Sequence, residues 1–188
     1  MKKIMLLSIS MFFTLILLSQ TLGRLDRIHG YRKFKLGDNI SSFSNLKFEV
    51  IPIKLNGVKN YVYTGKDITD FYGVHIEEIT LSFFRNRLYQ ISASFGNVLK
   101  EYSVEQFDLV QTNLEANFGK DYREVSPAPE AEVLNGAIWD ARVVRLENLR
   151  LRFPGDSDKD HRYNHIEGYI LFTDKQIQQE QQNSEIEN

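Results

Sequence analysis

Two alternating runs close together in the chain, followed at once by a helical stripe, constrain the fold most. In Ile79-Thr80-Leu81-Ser82-Phe83, apolar residues alternate with small polar ones, and they do so again in Tyr89-Gln90-Ile91-Ser92-Ala93-Ser94-Phe95. Successive strand side chains point to opposite faces. Period two therefore places Ile79, Leu81 and Phe83 together, and likewise Tyr89, Ile91, Ala93 and Phe95, leaving Thr80, Ser82, Ser92 and Ser94 toward water. Arg85-Asn86-Arg87 makes the turn, because Asn tolerates left-handed dihedrals. A hairpin with one apolar face is marginal alone. Its cover follows: Ser103 and Gln106 fit a capping box, and Phe107, Val110, Leu114 and Phe118 recur at helical spacing. Gly119 closes the helix, and Glu105, Asp108, Gln111 and Glu115 fall on the opposite face. Such a helix is unstable by itself, so its stripe is expected to pack on the preceding hairpin.

Other strand signals surround this unit. Gly30 to Gly37 reads as a short strand between glycines, and Asp38 to Ser44 as a turn around Ile40 and Phe43. Runs 47–55 and 61–64 are β-rich between turn residues. Pro127 and Pro129 mark a loop, and Ala137 to Asp140 carries the single tryptophan, Trp139. Val144 and Leu146 share one strand parity while Leu149, Leu151 and Phe153 share the other, which predicts a bulge near Glu147-Asn148. Gly168 to Thr173 is a last strand. Hairpins rather than strand–helix alternation give an α+β class, an antiparallel sheet of about six strands with one main helix on one face. The elements can also be grouped as two halves of a helical start plus three strands.

The first 23 residues stand apart. Lys2 and Lys3 precede an apolar run from Ile4 to Leu18, and Ser19 to Gly23 are small or polar apart from Leu22, as in a secretory signal peptide. Cleavage is expected after Gly23, with Thr21 as a rival and an uncleaved anchor as the alternative; the run is shorter than the ~20 residues that span a bilayer. Either way the lysines stay inside and the remainder is exported. Removing 23 residues, two of them lysines, from the 188 leaves 165 with a net charge of −4. That length buries a sufficient core without staples. The domain is expected over 24–175, with 176–188, rich in Gln, Glu and Asn, as a flexible polar tail that is frayed or loosely helical.

Composition removes several chemistries. The chain has no cysteine, which excludes disulfide scaffolds, Cys-bound zinc, iron–sulfur clusters, cysteine nucleophiles and Cys-anchored lipoproteins. With 23 Lys and Arg against 25 Asp and Glu, it lacks the basic footprint of a nucleic-acid binder. Asp156, Asp158, Asp160 and Glu167, with Asn164 among them, match calcium-loop positions 1, 3, 5 and 12. However, His161 replaces the required glycine, Tyr163 occupies an apolar position, and Lys159, His161 and Arg162 oppose a cation, so a solvated hairpin loop is expected. His161 and His165 have the spacing of two ligands on a helix, but Gly155 and the aspartates signal a loop, while His29 and His75 are isolated. Arg142, Arg145, Arg150, Arg152 and Arg162 form a basic cluster, read as the solvent face of a strand whose arginine stems cover apolar surface. Glu77 and Glu78, adjacent on a strand, should point apart and form no acid–base pair. No nucleophile elbow, phosphate loop, dinucleotide fingerprint or zinc-protease motif occurs. No catalytic, cofactor-binding or metal-binding residue is therefore assigned, and no cofactor is expected.

Four stretches taken together, Gly30-Tyr-Arg-Lys-Phe-Lys-Leu-Gly37 with Ser42-Phe43, Ile79 to Ile91, Leu114-Glu-Ala-Asn-Phe-Gly119, and Glu167-Gly-Tyr-Ile-Leu-Phe172, resemble a group of small exported bacterial proteins of uncharacterised function. The resemblance implies a glycine-bounded strand, a hairpin, a helix closing on aromatic-Gly and a final strand, and it carries no catalytic residue. The helix-then-sheet order is also similar to envelope and inhibitor domains of the β-lactamase-inhibitor type. The resulting expectation is a non-catalytic periplasmic or secreted domain that binds or supports another cell-envelope component, with an envelope protein as the candidate partner. It would touch the membrane only through the leader. The alternatives are an enzyme whose site assembles only in three dimensions and a calcium-binding module on 156–167. A cleft gathering Asp, Glu or His with strongly perturbed ionisation would favour the enzyme, and a flat sheet face with exposed aromatics would favour binding.

Overall fold

The computed structural model describes residues 22–49, 57–125, 127, 132–153 and 165–186. A short helix, α1, covers 22–28. It is followed by β1 (Gly30–Tyr31), β2 (Phe34–Lys35), a 3-10 turn at Ile40–Ser42, β3 (Leu46–Glu49), β4 (Val58–Tyr63), β5 (Asp70–Phe71), β6 (Val74–His75), β7 (Glu78–Phe84) and β8 (Arg87–Phe95). The second half holds α2 (Val104–Phe118), β9 (Arg123–Val125), β10 (Val133–Asp140), β11 (Val144–Phe153), β12 (His165–Asp174) and α3 (Lys175–Ile186). The class is α+β with one large antiparallel sheet. That sheet has eight strands rather than about six, in the order β3-β4-β7-β8-β12-β11-β10-β9, with two small ribbons, β1–β2 and β5–β6, beside it. Two four-strand meanders meet where their last strands, β8 and β12, pair. The strand of this sheet that the sequence does not single out is β9, whose three residues are too few to display a period; β3 falls at the start of the run 47–55.

The β7–β8 hairpin forms as its pattern requires. Its loop is only Arg85 and Asn86, with φ of 49° and 65°, and Phe84 faces Arg87 across it. Positive φ at both loop residues suits the right-handed twist of the flanking strands. The register slips between Ser82 and Phe83, and this bulge corrects one expectation. Tyr89 leaves the face of Ile91, Ala93 and Phe95 and joins Phe84 and Ile177 on the other side of the sheet. In the opposite sense, β11 shows no bulge near Glu147-Asn148. Its ten residues pair without interruption with β12. The parity change exists because Val144 and Leu146 face the core whereas Leu149, Leu151 and Phe153 face the other side. Asn148 is a fully buried polar residue on the core face.

We call the core side the front. Helix α2 has the expected capping box, with the Ser103 hydroxyl accepting from the Gln106 amide at 3.2 Å and the Gln106 side chain accepting from the Ser103 amide at 2.9 Å. Its stripe is buried as the spacing predicts. It lies over the second meander, however, rather than over the hairpin that precedes it. The Asn148 amide of β11 donates to Gln111, and the Trp139 indole of β10 donates to the Gly119 carbonyl at 2.8 Å. The front of the hairpin is covered instead by aromatic residues of short segments. Phe43 and Tyr61 meet Phe83 edge-on, Phe71 meets Phe95, and Phe34 meets Tyr63. Gly168 is needed inside β12 because a Cβ there would lie 2.3 Å from the Tyr102 ring, which stacks on Phe95.

The C-terminal residues read as a flexible polar tail form α3 over Lys175–Ile186. Asp174 caps it, its Oδ1 accepting from the amides of Gln176 and Ile177 at 3.0 Å. One apolar contact, Ile177 against Phe84 and Tyr89, holds it to the back of the sheet, together with an Arg87–Glu180 ion pair. A single buried isoleucine among glutamines leaves no helical stripe to recognise.

Candidate functional site

The half of the back face that no described helix covers is the first candidate. Strand register assigns it Ile138 from β10, Leu149, Leu151 and Phe153 from β11, and Tyr169 and Leu171 from β12. Apart from buried Ile138, these are only half-buried, and none joins either of the two buried clusters. Alternate β12 residues, His165, Glu167 and Tyr169, form a polar line along it. His165 Nε2 lies 2.8 Å from Glu167 Oε1, the Tyr169 hydroxyl donates to Glu167 Oε2, and the Phe153 ring stacks on His165 at 5.3 Å. Burial, then the Glu167 carboxylate, pushes the Tyr169 hydroxyl above its ordinary value. Burial likewise raises Glu147 against the attraction of Arg145 and Arg123. Both Glu167 oxygens are engaged, so Glu167 orients His165 and Tyr169.

Two clefts open on the front and on the sheet end. One of about 290 Å³ lies between α2 and β9–β10, with Phe107, Gln111, Tyr122, Glu124 and Asn135 in its wall. Beneath it, Asn148 donates to Gln111, Gln111 donates to Glu115 at 3.2 Å, and the Tyr122 hydroxyl donates to Glu115 at 2.8 Å. Burial raises the Glu115 carboxyl, but the donors Tyr122 and Gln111 and the Lys120 ammonium outweigh it, and the carboxyl lies below its ordinary value. Glu115 is thus no free member of a solvent face. The other cleft, about 330 Å³, has Tyr63, Lys66, His75, Glu77 and Glu78 in its wall. Here the sequence reading is corrected: Glu77 precedes β7 instead of alternating within it, so Glu77 and Glu78 share one cleft. Nearby, Lys33 and Tyr63 both bond Asp67, and they hold its carboxyl at about 2.

Asp156, Asp158, Asp160, His161, Arg162 and Asn164 lie outside the described residues, so of the calcium pattern only Glu167 is placed. Among the described residues no group of three or more His, Asp or Glu is positioned to hold a metal ion. His29 is 3.3 Å from Asp174, and His75 is exposed. The described arginines, Arg142, Arg145, Arg150 and Arg152, do not act as one cluster. Arg145 pairs with Asp140, and Arg150 donates to the Tyr102 carbonyl at 3.1 Å on the helix side of the sheet. Arg152 and Arg142 are exposed. The back-face line was missed because its residues are unremarkable one by one; the period-two placement of His165, Glu167 and Tyr169 was the available signal. Compared with protein-family models, with characterised proteins and with solved structures, the chain matches none.

Proposed function

We propose that this chain is an exported, non-catalytic domain that binds another protein of the cell envelope through the uncovered half of its back face. The observation that carries the reading is the half-buried set Leu149, Leu151, Phe153, Tyr169 and Leu171, continuous across neighbouring strands and interleaved with His165 and Glu167. A contiguous apolar patch with polar groups among it is the anatomy of an interaction surface. Export rests on the basic, apolar and small-residue order of residues 2–23. Fractionation of the producing cell should place the domain outside the cytoplasm, with a mature N-terminus near Arg24; a cytoplasmic full-length chain overturns export. A photo-crosslinking residue in place of Leu151 should give one discrete adduct in intact cells, while the same residue in place of Thr112, exposed on α2, should give none. Absence of an adduct at Leu151, or equal labelling at both positions, overturns the binding face.

A second reading has its own observation, the cleft shared by His75, Glu77 and Glu78. Two carboxylates and an imidazole in one cleft can divide acid and base roles. Under this reading, Glu77→Gln together with Glu78→Gln abolishes a hydrolytic activity found by substrate screening. Under the binding reading, the same pair leaves the Leu151 adduct unchanged.

A further inference from the structure

The two ends of the sheet differ in charge. Strand direction gathers α1, the β7–β8 turn, the β10–β11 turn and the β12–α3 junction at one end. The start of β7, the β8–α2 connection and the start of α2 lie at the other. At the first end Arg24, Arg27, Lys35, Arg85 and Arg142 are all exposed. None of them takes part in the ion pairs among the described residues, whereas their neighbours Arg87, Arg145 and Lys175 are matched with Glu180 and Asp140. The opposite end exposes Glu77, Glu78, Glu101, Glu105 and Asp108. Exposed carboxylates are present at the first end too, Asp140 paired and Asp121 beside it, and Lys100 and Arg152 stand at the second, but the five cations outside the ion pairs of the described residues make the first end the more cationic pole.

The start of the domain is fastened to that pole. Leu25 is fully buried. Asp26 Oδ1 accepts from the amides of Val143 and Val144, each at 2.9 Å, and Lys35 donates to the Ile28 carbonyl. The apolar run ends at Leu18, four residues before Leu22, a reach of about 14 Å even when fully extended. Until the leader is cleaved, a bilayer that takes up the run therefore lies against the cationic pole, and the cations of that pole stay with the domain after the cut.

We propose that this pole, formed by α1 and the β7–β8 and β10–β11 turns, is a membrane-facing surface that binds anionic phospholipid headgroups through Arg24, Arg27, Lys35, Arg85 and Arg142. The inference rests on the apolar run being directed to a membrane, and it extends membrane contact from the leader to the folded domain. Guanidinium forks match phosphate geometry, and the attraction acts only within a Debye length of the surface. The acidic pole then points away from the bilayer, the strands stand along its normal, and the back face stays open sideways to a protein partner.

The test uses a chain beginning at Leu22, which keeps every buried core residue from Leu25 to Ile177. It is co-sedimented with phosphatidylcholine vesicles with or without phosphatidylglycerol. Binding is expected only with phosphatidylglycerol, weakening as salt is raised. Arg24→Ser/Arg27→Ser/Arg142→Ser should reduce it on the order of a hundred-fold. Lys100→Ser/Arg152→Ser, which removes two cations from the opposite end, should leave it unchanged, and both variants should melt like the parent. Equal binding to both vesicle types, binding to neither, or equal loss in the two variants overturns the proposal. A failed export reading shows separately, as a cytoplasmic chain in cell fractionation, and leaves the vesicle result standing.

Discussion

The front and back of one sheet are finished in different ways. On the front, α2, two short ribbons and a set of edge-to-face aromatics close over the strands until even Asn148 is wholly out of water. On the back, a single helix touches down through Ile177 and leaves the leucines of β11 and β12 half-buried. The same strands supply both faces, so β propensity does not explain the difference. What differs is how much of the described chain each face receives as cover. A sheet face that carries leucines without cover keeps apolar area available to a partner.

The contrast can be broken by substitution. Leu114→Ala on the front should cost ~2–5 kcal/mol, from lost burial and the cavity left behind. Gly168→Ala, whose new methyl would meet the Tyr102 ring, should cost ~1–3 kcal/mol by overpacking. Ile177→Ala on the back should cost about 2 kcal/mol, at the low end for such truncations, because its cluster is small. Leu151→Ala should stay within roughly 0.5 kcal/mol, like other weakly packed positions. Chemical denaturation of the four variants gives the order, and a Leu151→Ala as costly as Leu114→Ala would end the distinction between the faces.

Acidity sharpens it further, with opposite signs on the two sides. Glu115 on the front has a lowered pKa, so its contribution is present above the ordinary carboxylate range and is lost as pH falls through it. Glu147 on the back has a pKa raised by burial, so the folded state is favoured below the ordinary carboxylate range and loses that advantage as pH rises through it. Glu115→Gln should flatten the acid arm of the stability profile and lower stability at neutral pH. Glu147→Gln should raise neutral stability slightly. Urea midpoints across the acidic range would show these shifts, and parallel profiles for the two variants would refute the assignment.

Elements written in local pattern were legible. Ser103, Gln106, the four-residue stripe and Gly119 describe α2 almost to the residue, because capping and 3.6-residue spacing are properties of a contiguous segment. The β7–β8 hairpin was legible for the same reason. The placement of α2 was not, since consecutive elements usually pack together and here β11 and β12 return beneath the helix. Glu115 looked like a solvent-face residue because Tyr122, which bonds it, lies beyond the helix end. The site was less legible than the fold. His165, Glu167 and Tyr169 could be aligned by parity, but whether their face was covered depended on where α3 came to rest.

By itself, then, the sequence determined α2, the β7–β8 hairpin, the antiparallel α+β class, the absence of thiol chemistry and the basic-then-apolar order of the first residues. These follow from local periodicity and residue chemistry, which act over a few residues at a time. The tertiary structure alone decided which strands became neighbours, that one bulge would send Tyr89 to the back, and that Glu77 and Glu78 would share a cleft. It also decided that five cations distant in sequence would collect at one end. The physical reason is that burial, cover and electrostatic proximity are relations between distant segments, set only when the chain closes on itself.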